Sequence, residues 1–298
     1  MFTIQAPAKV NLALDVLYKR PDGYHEVDMV MQAISLADEL SFEDAPPREG
    51  IPQNQGRVPN EGQPWLELTC SDPRLPTGRD NLAWRAAELL QQETGINRSV
   101  RIHITKKIPV AAGLAGGSAD AAAVLTGLNQ FWGLGLTLGQ LMELGVKLGA
   151  DVPFCIFQGA ARATGIGAGL TRIHSLCNHE LLLVTPNFHV PTAYIYQKLD
   201  LKQHTRRPRV DRVVSALQKG DLAEVAANWG NVLEEVALRE FPRIADVKTY
   251  FSKYGLPHNL MSGSGPSVFA LNPPREIIPA FLANLPPHWF GCLVKMVN

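Results

Sequence analysis

Charge of either sign is not in surplus: 28 lysines and arginines face 28 aspartates and glutamates, a formal net charge of zero. A chain without a net field cannot gather a polyanion over distance, which argues against a dedicated DNA, RNA or anionic-membrane surface. Any phosphate it binds must be held locally. Cysteine is sparse. Cys70, Cys155, Cys177 and Cys292 lie far apart with no C-x-x-C pair, so neither a disulfide framework nor a zinc knuckle is indicated, and four unbridged thiols suit a reducing cytosol. The opening residues lack the basic stretch and continuous apolar run of a secretory signal, so a cytoplasmic location is expected.

A membrane span is missing too. The uncharged run from Ala121 to Met142 is broken by Gly127, Gly133, Gly135 and Gly139 and by Asn129, Gln130 and Gln140, so two buried helices joined by a glycine turn is the better reading. There is no G-x-x-x-x-G-K-[ST], no G-x-G-x-x-G and no G-x-S-x-G, which removes the Walker A loop, the dinucleotide fingerprint and the hydrolase nucleophile turn. His174, Cys177 and His179 are close in sequence but lack a fourth ligand, so no metal site is expected there.

What is present is globular in kind. Hydrophobic residues make up 46% and charged residues 19% of 298 positions, enough for about two domains with their own cores. From Lys9 to Val16 polar and apolar residues alternate, the signature of a half-buried strand that points Lys9 and Asn11 the same way. Pro21-Asp22-Gly23 reads as a turn, and Tyr24 to Ser35 as the returning strand. Five prolines and three glycines between Asp44 and Pro64 mark a surface insertion, after which strand character resumes at Trp65 to Thr69.

Further on, a helix is predicted over Leu82 to Gln92, capped by Asp80 or Asn81, then a strand over Val100 to Ile104. Ser118 is a candidate cap for a helix burying Ala122, Leu125, Leu128 and Trp132. Thr137 with Gln140 is a capping-box pattern for another helix, with Leu138, Leu141, Met142 and Leu148 on its apolar face and Gly149 as its stop. Beyond Gly159 short strands (Leu181 to Thr185, Ser267 to Leu271) mix with helices at 209–219, 222–229 and 244–254. This change of texture places a domain boundary near residues 160–180.

The segment Pro109-Val-Ala-Ala-Gly-Leu-Ala-Gly-Gly-Ser118 sits between a strand and a helix amino end. Small residues let backbone N–H groups approach a ligand, and the helix end adds partial positive charge, so the segment suits a phosphate; a tight helix-packing turn is the alternative. Asp151, in Gly-Ala-Asp-Val-Pro, follows a helix; Pro153 should force Val152 to be extended. Its carboxylate can be a solvated acid or the acceptor of a hydroxyl proton in phosphoryl transfer. Lys9 can be an exposed strand lysine or a stabiliser of developing charge. Met261 to Leu271 is either an oxygen-binding nest or a hairpin turn.

Taken together, Pro7-Ala-Lys-Val-Asn11, Pro109 to Ala119 and Met261 to Leu271 resemble the three motifs of the GHMP kinases, in order and spacing, across nearly the whole chain. The resemblance implies a two-domain α+β fold: a ribosomal-S5-domain-2-like, ATP-binding and catalytic domain over 1–165, a ferredoxin-like, substrate-binding domain over 166–298, and an active site in the cleft between. It implies an ATP-dependent small-molecule kinase, with Mg2+ as the accompanying ion.

Lys9 and Asp151 would be the catalytic pair, Asp151 taking the hydroxyl proton and Lys9 orienting and polarising, with Asn11 at the acceptor. Asn81, Lys106, Pro109, Val110, Ala111, Ala112, Gly113, Leu114, Ala115, Gly116, Gly117, Ser118 and Ala119 would hold the nucleotide. Lys19-Arg-Pro-Asp-Gly-Tyr-His25 and Leu148 to Pro153 look like those of family members that phosphorylate the 2-hydroxyl of a cytidine diphosphate derivative of methylerythritol, in the non-mevalonate route to isoprenoid precursors. In them an aromatic sandwich and an imidazole grip the cytosine, roles that fall here to Tyr24, Tyr196 and His25.

No nucleic acid or membrane partner is implied. The alternatives are a kinase of the same family acting on homoserine, mevalonate or a sugar, and a catalytically silent nucleotide-binding regulator. Two residues depart from the family pattern: Ala115 stands where many members carry glycine, and Ala119 where a second serine is common. The second removes a hydroxyl that could touch phosphate or magnesium.

Overall fold

A computed structural model describes residues 1–45, 65–174, 176–177, 179–201 and 207–298. Residues 46–64, nearly all of the expected surface insertion, lie outside the described residues. The chain divides into two compact units that do not follow a single cut. One comprises Met1–Pro7, Ala37–Ile108 and Gly116–Phe157; the other comprises Ala8–Leu36, Pro109–Ala115 and Gln158–Asn298. Strands β1 (Phe2–Lys19) and β2 (His25–Asp44) each contribute residues to both.

In the first unit, β3 (Leu66–Cys70) runs parallel to β4 (Val100–Thr105), which pairs antiparallel with Glu39–Asp44 of β2. Helices α1 (Leu82–Thr94), α2 (Gly116–Trp132), α3 (Leu138–Leu148) and α4 (Val152–Phe157) complete it. The first cap is Asn81, whose side-chain oxygen accepts from the Ala83 N–H at 2.9 Å, worth about 1 kcal/mol. The Thr137–Gln140 capping box forms as expected, and Gly149 ends α3.

Three local expectations in this unit are corrected. Ser118 is the third residue of α2 rather than its cap, because the backbone turns helical already at Gly116. Leu138 is 48% exposed; the buried stripe of α3 is Leu141, Leu144, Gly145 and Leu148. Val152 is not extended but opens α4, with Pro153 in the first turn, where a missing N–H costs nothing. Gly127 in α2 is required by packing, since a Cβ there would stand 2.7 Å from the Phe42 ring.

The second unit holds the remainder of β1 and β2. Val27–Gln32 of β2 pairs antiparallel with β5 (Ala160–Gly165), which forms a hairpin with β6 (Gly169–Arg172). The two-residue β8 (Gly230–Asn231) lies parallel to β1 at Ala13 and Leu14. A separate antiparallel sheet has the order β11 (Phe290–Lys295), β7 (Glu180–Thr185), β10 (Val268–Leu271), β9 (Leu260–Met261). The helices are α5 (Thr192–Gln197), α6 (Val210–Lys219), α7 (Leu222–Asn228), α8 (Val232–Glu240), α9 (Arg243–Lys253) and α10 (Ile278–Ala283).

The alternation in β1 does not make a half-buried strand. From Ala8 to Val16 both faces are covered: Val10, Leu12, Leu14 and Val16 on one side, Lys9, Asn11, Ala13 and Asp15 on the other. Polar residues survive there because they find partners. Lys9 bonds Asn11, and Asp15 bonds Arg207 at 3.2 Å.

Candidate active site

Within the second unit, the segment Pro109–Ala115 is tied back by its carbonyl groups. The Ala112 oxygen accepts from the Ser267 N–H at 3.3 Å, the Gly113 oxygen from the Ser262 hydroxyl at 3.0 Å, and the Leu114 oxygen from the Lys9 N–H at 3.1 Å. Ala112 and Leu114 are buried, while Val110 and Ala111 are exposed. Ala111, Gly113 and Ala115 have φ values of 54°, 74° and 59°. Left-handed residues at every second position build a backbone nest, and with the carbonyls consumed by protein the N–H groups are the polar atoms left for an anion.

The chain passes from Ala115 straight into α2, whose amino end opens with Gly116 and Gly117. In the first unit Gly117 is exposed, Ser118 half-buried and Ala119 buried at 1%. Residues 109–115 thus form a nest in the second unit, and residues 116–119 open α2 in the first unit without bulky side chains, each a local form of anion site. Ala115 holds the left-handed backbone that a glycine would hold more easily.

Met261 to Leu271 forms the hairpin, the second of its two readings. Met261 and Leu260 pair with Val268 and Phe269, so 262–267 is the turn of a hairpin. The same turn braces the phosphate loop. A Cβ on Gly113 would come within 2.3 Å of the Ser262 carbonyl oxygen, and one on Gly263 within 3.0 Å of the Gly113 oxygen and 3.5 Å of the Lys9 ammonium. Asn231 donates to the carbonyls of Met261 and Gly263 at 2.9 and 2.7 Å, and its side-chain oxygen caps α8. Sequence reasoning missed Asn231; a lone asparagine between two helices gives no signal of a loop thirty residues away.

Lys9 is only 4% exposed, and its ammonium donates to Asn11 Oδ1 at 2.7 Å. Asn11 is fully buried, with its amide nitrogen on the Met29 sulfur at 3.5 Å, so it faces Lys9 rather than an open surface. Also in this unit, the rings of His25 and Tyr196 meet at 5.1 Å between centroids, tilted by 36°. Burial, and then the positive charge of Lys19, holds the His25 imidazole below its ordinary pKa of 6.5. Tyr24 is the next residue, at 59% exposure, in a turn fixed by the Asp22 carboxylate accepting its N–H at 3.1 Å.

In the first unit Asn81 is committed to the cap of α1 and to the Pro76 carbonyl at 2.8 Å. Asp151 stands immediately before α4, its carbonyl accepting the Cys155 N–H at 3.1 Å. The Lys106 ammonium is buried between Asp38 and Asp120, at 2.8 Å from Asp120 Oδ2. Burial alone would lower its pKa; the carboxylates of Asp120 and Asp38 outweigh that and raise it. Among the described residues no group of three or more His, Cys, Asp and Glu side chains is gathered as a metal would require.

Two family patterns match the chain: GHMP kinases N terminal domain over residues 81–159 and GHMP kinases C terminal over 213–286. A 4-diphosphocytidyl-2-C-methyl-D-erythritol kinase from Alkaliphilus metalliredigens is 47% identical over 268 residues, covering 90% of this chain and 87% of that protein. One of the same name from Geobacillus thermodenitrificans is 45% identical, with the same coverage.

A crystal structure of a 4-(cytidine 5'-diphospho)-2C-methyl-D-erythritol kinase superposes with a TM-score of 0.76 at 32% identity, over 99% of this chain and all of that one. A homoserine kinase from Cytophaga hutchinsonii, at 19% identity, gives 0.72 over 100% of this chain and 95% of its own, a likeness of fold. The chain belongs to the GHMP kinases, ATP-dependent phosphotransferases of two-domain α+β fold, and within them to the group of its 4-diphosphocytidyl-2-C-methyl-D-erythritol kinase relatives.

Proposed function

We propose that this chain transfers the γ-phosphoryl group of ATP to the 2-hydroxyl of 4-diphosphocytidyl-2-C-methyl-D-erythritol, in the non-mevalonate route to isoprenoid precursors. The observation that carries the reading is the loop 109–115, a nest whose carbonyls are bound by Ser267, Ser262 and Lys9 and whose chain enters α2. Such a loop neutralises phosphate with N–H dipoles and requires no surplus of basic side chains, which suits a neutral protein. The substrate named is the one carried by the relatives' names.

In this reading segment 109–119 cradles the ATP phosphates. Asp151 accepts the proton of the attacking hydroxyl, and Lys9, held by Asn11, stabilises the charge that develops on the transferred group. Asn11 acts through Lys9, since its own amide is buried. Asn81 acts through the cap of α1. Tyr196 and His25 take the cytosine ring, Tyr196 by stacking and His25 as a neutral hydrogen-bonding group, with Tyr24 closing over the other face. Mg2+ would shield the phosphate charge on the nucleotide, with the Ser118 hydroxyl as the protein oxygen available beside the loop. The two buried carboxylates of the first unit, Asp38 and Asp120, are engaged by Lys106 and do not suit it.

The division into domains at 1–165 and 166–298 belongs to the same proposal, as does a cytoplasmic location without nucleic-acid or membrane partners. No helix among the described residues is long and apolar enough to cross a membrane. The test is ADP release with the diphosphocytidyl substrate, homoserine, mevalonate and a sugar offered in parallel. Turnover of the first alone is expected, with Asp151→Asn lowering kcat by about 100-fold or more. Preference for another acceptor would overturn the substrate, and an unchanged Asp151→Asn rate would overturn the general base.

A further inference from the structure

We propose that Asp38 and Lys106 are positioning residues that clamp the two chain stretches flanking the phosphate loop; this rests on the reading of segment 109–119 as the ATP loop. Asp38, on β2, is fully buried. One of its oxygens accepts the backbone N–H groups of Lys107 and Ile108 at 2.5 and 2.8 Å, and the other accepts the Lys106 ammonium. Three donors on one carboxylate fix residues 106–108, the last before Pro109.

The same ammonium reaches Asp120 Oδ2 at 2.8 Å, in the second turn of α2. The strand that enters the loop and the helix that leaves it are therefore joined through a single cation. Lys106 was expected at the nucleotide. With a side chain 7% exposed and both carboxylates on its ammonium, it serves the loop from behind instead.

The cluster is asymmetric. Each Asp38 oxygen accepts at least one donor, whereas Asp120 Oδ1 is buried without a hydrogen-bond partner. Two carboxylates and one ammonium leave one excess negative charge, and the place to discharge it with a proton is Asp120. Burial, the largest cause, together with the nearby Asp38 charge, pushes the Asp120 carboxyl up to about 7 against the pull of Lys106. Asp38, with a donor on each oxygen, is therefore the carboxylate that the clamp depends on. Substituting an amide turns an N–H2 group toward either the ammonium or the two backbone N–H groups, all donors.

The experiment uses the whole chain, with calorimetric titration of a non-hydrolysable ATP analogue and steady-state kinetics in both substrates. Asp38→Asn is expected to weaken analogue binding and raise KM for ATP about tenfold, the loss of roughly one charged hydrogen bond. KM for the diphosphocytidyl substrate should stay within about twofold. Leu90→Ala, in the core of the same unit, gives the comparison for lost stability alone: it lowers Tm and leaves KM for ATP in place. The pair Lys106→Met with Asp120→Asn, which removes the bridging cation and its partner on α2, covers the case in which Asp38→Asn does not fold, with KM for ATP again expected to rise. Wild-type affinity for the analogue in a folded Asp38→Asn or in the double variant overturns the clamp. A wild-type protein that binds no analogue overturns the loop reading on which the clamp rests.

Discussion

The hydroxyl of Ser262 donates to the carbonyl of Gly113 at 3.0 Å, across 149 residues of sequence. It joins the last of the three motifs to the second, so that the turn of one hairpin sets the direction of the phosphate loop. A carbonyl captured from behind cannot point at a phosphate, and the N–H groups of the loop are left facing the other way.

Gly113 has no room for a side chain: a Cβ would lie 2.3 Å from the Ser262 carbonyl oxygen, at a φ of 74°. Gly113→Ala should cost about 3 kcal/mol in chemical denaturation, from overpacking and left-handed strain together. Nucleotide binding should weaken with it. Ser262→Ala removes only the hydroxyl and should cost about 1 kcal/mol. Equal effects from the two would show that the loop does not depend on this contact.

Ala115 sits at a φ of 59° where a glycine would be unstrained. Relief of the left-handed penalty exceeds the added freedom of the unfolded chain, so Ala115→Gly should stabilise the protein by about 0.5–1 kcal/mol in a denaturant titration. A destabilised variant would mean that the alanine methyl contributes packing that outweighs its strain.

The Tyr196 ring, tilted against His25 at 5.1 Å between centroids, should carry cytosine affinity. Tyr196→Ala is expected to raise KM for the diphosphocytidyl substrate about tenfold, by loss of about 1–3 kcal/mol of stacking, and to leave KM for ATP alone. His25 is held below its ordinary 6.5, mainly by burial, so the folded protein favours the neutral ring. Its contribution to stability is complete above 6.5 and is lost as pH falls through the folded value; substrate KM should climb over the same acid range and stay flat above it. His25→Asn should abolish that acid rise.

Asp120 has the opposite sign. Its carboxyl rises from 3.8 to about 7 in the folded protein, chiefly through burial, so the folded state binds the proton more tightly than the unfolded chain. The group's favourable term is complete below about 3.8 and disappears as pH rises through about 7. Thermal unfolding followed from pH 5 to 8 should show Asp120→Asn gaining on the wild type toward the alkaline end. A constant difference across that range would show that Asp120 is ionised throughout.

Much of this was legible in the residues themselves. Local rules act over a few positions, and they narrowed the first cap to Asp80 or Asn81 and located the cap at Thr137, the turn at Gly23, the strand at Lys9 and the glycine-rich stretches at 109–119 and 261–271. Equally local errors arose where backbone geometry overrode side-chain preference: Ser118 inside its helix, and Val152 opening one behind Pro153. The order of the three motifs was enough to reveal the family.

Tertiary structure alone decided which of the polar residues are free to do chemistry, because burial and hydrogen-bond pairing arise between residues far apart in sequence. Lys9 and Asn11 lie on a covered face rather than an exposed one. Lys106 is spent on Asp38 and Asp120, 68 and 14 residues away. Gly113 is pinned by Ser262. The sequence by itself determined that a neutral chain must hold phosphate by a local backbone device, since net charge is a sum over residues. The direction of that device's N–H groups was settled by where the fold brings their carbonyls a donor.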